Sequence, residues 1–71
     1  MSSFDFDAMD RAVNRLRLVE LAINRIATEE KERGHDELAA DLCTVGALIH
    51  GALKDITITR KLTLMRQRAN D

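Results

Sequence analysis

The stretch LAADLCTVGALIHGAL, running from Leu38 to Leu53, carries one formal charge, Asp41, in a 71-residue chain of which 32% is charged. A helix on the surface of a soluble protein keeps one apolar stripe and one polar face, whereas a helix that is apolar or small nearly all round is buried on several sides. One short partner helix covers only one of those sides. The stretch therefore predicts a helix at the centre of an assembly, with self-association supplying the rest of its cover.

Composition points the same way. A chain of this length makes a single small domain, 1–71, near the size at which one core barely offsets the entropy lost on folding. Small domains are usually stapled by disulfides, a metal or oligomerisation, and the lone Cys43 cannot form an internal disulfide. Without Trp or Tyr, and with only Phe4 and Phe6 as aromatics, the core must be aliphatic. The absence of Pro and the few glycines, Gly34, Gly46 and Gly51, argue against a turn-rich β domain.

Upstream of the central stretch, Met9, Ala12, Leu16, Val19, Ile23 and Ile26 alternate at spacings of three and four, the rhythm of helices packed lengthwise. Val13 and Ala27 widen that stripe. The spacing predicts helix one over about 6–33, with Ser3, Asp5 or Asp7 as its cap. Gly34 after the run EEKER closes it, and Asp36 is placed to cap the next helix, so 33–36 is a short turn between antiparallel neighbours. Helix two, about 37–56, presents Leu38, Leu42, Val45, Ile49, Leu53 and Ile56 on one face. On its back, Ala40, Thr44, Ala47 and Gly51 form a stripe of small side chains which, with Leu48, is the expected dimer interface.

The tail, 57–71, is harder. DITITRKLTL alternates apolar with polar residues and is rich in β-branched side chains, a strand-like period. Continued helix is favoured over a strand paired across a dimer, because it brings Ile56, Thr63 and Leu64 to the core side with Arg60 among them. The fold class expected is all-α: a two-helix antiparallel hairpin with a helical or frayed extension, dimerising into a four-helix-bundle-like assembly.

The acidic start MSSFDFDAMD lacks the basic and apolar segments of a secretory signal, and the apolar part of helix two is shorter than the roughly 20 residues that cross a bilayer. The expected location is the cytoplasm, without membrane insertion. Charge alternates in blocks, acidic to Asp10, basic to Arg25, acidic around the turn and basic in the tail, which suits matching between helices better than binding to a polyanion.

No catalytic constellation emerges. Cys43 and His50 share a side of helix two, but seven helical residues separate them by about 10.5 Å, too far to ligate one metal or share a proton. Glu32 and His35 match an E-x-x-H spacing only at a helix end broken by Gly34. The expectation is no enzyme, no metal and no cofactor. Leu18 and Leu21, large and apolar on an otherwise polar side of helix one, mark a contact surface for another protein together with Arg15, Arg25, Arg60 and Lys61. The outline is similar to that of small helical-hairpin regulators of bacteria, phages and plasmids, a likeness of shape with no motif behind it. The function expected is a homodimeric regulator or adaptor that binds and modulates, for instance inhibits, another protein. The alternative is a nucleic-acid-binding regulator using the arginine rows, although stacking aromatics and a recognition-helix motif are missing.

Overall fold

The computed structural model describes residues 5–70, which form two helices, α1 (Phe6–Glu32) and α2 (Asp36–Asn70). Asp5 caps α1, its side chain accepting from the Ala8 N–H at 2.9 Å, and Asp7 lies in the first turn where the helix dipole favours an acid. Ser3, the other candidate cap, lies outside the described residues.

The turn is a Schellman closure. Gly34 adopts φ +84°, its N–H donates to the Lys31 carbonyl at 3.0 Å, and the His35 N–H reaches back to the Glu30 carbonyl at 2.9 Å. Only glycine takes that backbone conformation without a steric cost. The carbonyl of His35 then accepts from the Ala39 N–H, so α2 starts one residue earlier than expected. Asp36 is not its cap. It is the first helical residue, an acid in the first turn.

The two helices run antiparallel in a single register. Asp10 meets Arg60, Glu20 meets His50 and Asn24 lies against Gly46, so residue i of α1 is level with residue 70 − i of α2. Along this rod of 57 × 16 × 14 Å the seam of α1 is Met9, Val13, Leu16, Glu20, Ile23, Ala27 and Glu30. The seam of α2 is Ala39, Leu42, Gly46, Ile49, Leu53, Ile56 and Arg60. Both alternate by three and four, as lengthwise packing requires. The period expected from the sequence is present, but each stripe is rotated. Ala12, Val19 and Ile26 of α1, and Leu38 and Val45 of α2, are exposed, while Val13 and Ala27, expected at the margin, are buried.

At Gly46 the helices come close: a Cβ there would lie 2.8 Å from Asn24 Oδ1, the movable end of an exposed side chain, with Asn24 Cγ and Ile23 Cγ2 next at 3.8 Å, so a methyl group fits once that amide swings out and a longer side chain does not. Gly51, expected in the dimer stripe on the back of helix two, has nothing of the hairpin within 4 Å of its missing Cβ.

Helix two does not end near residue 56. It continues to Asn70, and the strand alternative for the tail is not adopted. Two of the tail's three threonines return their hydroxyls to the helix backbone: Thr57 donates to the Leu53 carbonyl and Thr63 to the Thr59 carbonyl, both at 2.9 Å. Ile56, Arg60, Thr63 and Leu64 are half-buried as expected, whereas Ile58 points away.

Candidate functional site

Three polar clamps along the seam fix which surfaces remain outward. At the open end, Arg60 donates from Nε to Asp10 Oδ1 at 2.8 Å and from Nη2 to Oδ2 at 3.2 Å, with its guanidinium 5.1 Å from the centre of the Phe6 ring. At the middle, His50 Nδ1 is 3.1 Å from Glu20 Oε1. At the turn, Glu30 accepts from Arg33 Nη1 at 2.7 Å and pairs with His35 Nδ1 at 2.5 Å. Sliding α2 by one heptad would carry Arg60 from Asp10 to the level of Arg17, so the pairs act on register as much as on stability.

Arg60 and Asp10 are both substantially open to solvent, so Asp10→Asn should cost no more than about 1 kcal/mol and its effect should shrink with added salt. Thermal melts at low and high ionic strength, with a double-mutant cycle against Arg60→Ala, check this. Glu30 makes a pH prediction. The hydrogen bond from His35 holds its carboxyl below the ordinary glutamate range, helped by Arg33 and opposed by partial burial. A carboxylate lowered in the folded state stabilises above the unfolded value, and that contribution is lost as pH falls through the folded value. Glu30→Gln should therefore flatten the acid limb of the melting temperature below the ordinary glutamate range while lowering the plateau near neutrality. A series of melts across acid pH reads both.

The residues proposed from the sequence for partner binding do not form one patch. Leu18 and Leu21 are each 66% exposed, with Arg15 and Arg25 also on the outward side of α1. Arg60 is instead engaged within the hairpin by Asp10 and Phe6. Lys61 is exposed on α2 one heptad beyond Lys54. The proposed dimer residues Ala40, Thr44, Ala47, Leu48 and Gly51 are all exposed, but Leu48 lies on a different side of the hairpin from Ala40 and Ala47.

One of these residues, Leu21, belongs to a shallow groove on one face of the hairpin. Leu53 forms its floor, Leu21 and Ile58 its apolar walls, and Arg17 and Lys54 its rim, with the Glu20–His50 pair at one end. Arg17, Lys54 and Ile58 were missed by the sequence reading. The signal was available: Arg17 and Lys54 are nearly level once the register is known, and the register follows from Gly46 and Arg60 rather than from apolar spacing.

Among the described residues, no group of three His, Cys, Asp or Glu side chains is positioned to hold a metal. His35 pairs with Glu30, five residues upstream, rather than completing an E-x-x-H site with Glu32. Cys43 is exposed and free. By length and composition α2 is apolar enough to cross a membrane, with 11% of its most apolar window buried in the hairpin. No family model, curated protein or solved structure matches the chain.

Proposed function

We propose that this protein is a non-enzymatic, homodimeric helical-hairpin module of the cytoplasm that binds and modulates another protein. The observation that carries the reading is the groove of Leu21, Leu53 and Ile58 between Arg17 and Lys54. An apolar trough with cationic edges suits an amphipathic helix whose apolar side is flanked by acidic residues, laid along it as helix-in-groove recognition requires. Lys61 extends the basic edge toward the open end of the hairpin. The nucleic-acid alternative draws less support, because the outward arginines of α1 are interrupted by Leu18 and Arg60 is held by Asp10.

The test is affinity capture of the tagged full chain from its native lysate, with and without nuclease, alongside Leu21→Asp and Lys54→Glu. One stoichiometric protein that survives nuclease and is lost with both variants supports the groove reading. Nuclease-sensitive recovery of RNA or DNA, weakening steeply with salt, would replace it with the nucleic-acid reading.

A further inference from the structure

The hairpin has two broad faces, one holding the narrow groove rimmed by charge and one with a wider apolar surface. On the face that holds the groove, the residues one step after the seam are mixed: Arg17, Asn24, Lys31, His50 and Lys54 are polar or charged, and Leu21 and Cys43 stand among them. On the other face, the residues one step before the seam include Ala12, Val19 and Ile26 in α1 and Leu38, Val45 and Ala52 in α2, all exposed, with Arg15, Glu29, Asp41 and Asp55 toward its edges. Val19 is 46% exposed, Ile26 44%, Leu38 48% and Val45 40%, and Leu48 beside them is 69% exposed. These are the residues of the expected stripes that the hairpin leaves uncovered. Each helix therefore has an apolar stripe wider than one neighbour can bury, and both surpluses fall on the same side.

We infer that a second copy of this chain packs face to face on Val19, Ile26, Val45 and Leu48, with the two turns at the same end and α1 of each copy lying over α2 of the other. The inference rests on the homodimer reading above and moves the interface from the Ala40, Thr44, Ala47, Gly51 stripe to a different side of the hairpin.

Area argues for a partner of this size. The chain exposes 5799 Å², whereas a globular monomer of its mass exposes about 4,450 Å². The surplus of roughly 1,300 Å² per chain exceeds the ~800 Å² each side contributes to a standard stable interface. A rod two helices wide and one helix thick exposes that surplus on its faces, and the face away from the groove carries the broader run of exposed aliphatic side chains.

Matching of large against small argues for a second copy in that orientation. Because i is level with 70 − i, a two-fold axis along the rod sets Leu48 of one copy over Ala22 of the other, Val19 over Ala52 and Leu62 over Ala8. Large side chains meet small ones at these three levels, as close interdigitation requires, and Ile26 meets Val45 in an apolar pair between them. Arg15 then meets Asp55 at the edge. The opposite orientation would set α1 on α1 and α2 on α2, and with its axis at the level of Leu48 and Ala22 it would stack Leu48 on Leu48 and leave Ala22 facing Ala22. Glu29 and Asp41 approach each other in the arrangement proposed, at an exposed edge where screening keeps repulsion small.

Sedimentation equilibrium of the full chain, with circular dichroism to check helicity, tests the face. Wild type should be a dimer, Val45→Glu should weaken dimerisation by at least about 30-fold, the loss expected at the centre of an interface, and Ala47→Arg should leave it unchanged. Because Val45→Glu could unfold a hairpin that depends on its partner, cross-linking gives a second readout. In a Cys43→Ala background, Ala22→Cys and Leu48→Cys chains should each stay uncoupled alone and couple through a short bis-maleimide when mixed. A dimer lost with Ala47→Arg and kept with Val45→Glu overturns the face while leaving the homodimer reading intact. Coupling of Ala22→Cys alone overturns the orientation. A monomeric wild type overturns both the inference and the reading beneath it, and co-flotation of that monomer with lipid vesicles would assign the apolar face to a membrane.

Discussion

Replacing Gly46 with leucine should lower the stability of the hairpin by roughly 2 kcal/mol, while alanine at the same position should change it by less than about 1 kcal/mol. The contrast follows from what stands in front of the missing Cβ. The nearest atom is Asn24 Oδ1 at 2.8 Å, the end of a flexible and exposed side chain, and the next, Asn24 Cγ and Ile23 Cγ2, are at 3.8 Å. A methyl group needs only the Asn24 amide to swing outward, and the better helix propensity of alanine, about 1 kcal/mol over glycine, offsets that shift. Leucine has to place three further carbons in a seam closed by Ile23 and Ala27, and it can do so only by wedging the helices apart. Chemical denaturation of the two variants at one protein concentration reads the difference. Equal losses for alanine and leucine would mean that the close approach at this level is not what fixes the seam.

The position of that glycine also explains how far the sequence could be read. Helix existence, the Gly34 turn and the antiparallel pairing were legible because each is a local matter of period, capping or turn length, whereas the unbroken run of α2 to Asn70 was only partly so, its β-branched residues carrying a strand-like period that hydroxyl bonds to the helix backbone override. The rotation of the stripes was not. Apolar spacing alone scores Val19, Ile26 and Val45 above Glu20, Ala27 and Gly46, yet the latter three occupy the seam. What decides between the two is geometry between helices: small residues let the backbones close, and Glu20 and Arg60 find partners on the other helix that hydrophobicity cannot reveal. The same cause separated the groove from its sequence signal. Leu21 stood out by itself, but its neighbours Lys54 and Ile58 come from α2 and depend on register. Arg60, read as a surface contact, was recruited instead by Asp10 and Phe6.

Leu53→Ala should be the most damaging single truncation, costing about 2–3 kcal/mol, at the lower end of the range for buried leucines because the seam is open to solvent on both flanks. Leu53 is 6% exposed and is the only leucine among the buried hydrophobic residues, Val13, Ala27 and Ala39 being the others. No other aliphatic chain of its size plugs the seam as completely. For a domain of this length such a loss shifts the melting temperature by roughly 10–20 °C, enough to remove a cooperative transition from a marginal fold. The informative comparison is Leu48→Ala, which removes the same atoms from a side chain 69% exposed in the hairpin. Within a single hairpin that truncation has almost nothing to lose. In a dimer closed over Leu48 it costs stability through association, and an association term depends on protein concentration while an intrachain core term persists when the chain is dilute. Melts of both variants across a hundredfold range of concentration should therefore show Leu53→Ala destabilised throughout and Leu48→Ala destabilised only where wild type is dimeric. A Leu48→Ala chain indistinguishable from wild type at every concentration would remove Leu48 from any interface, and with it the reason for the width of the apolar stripe on α2.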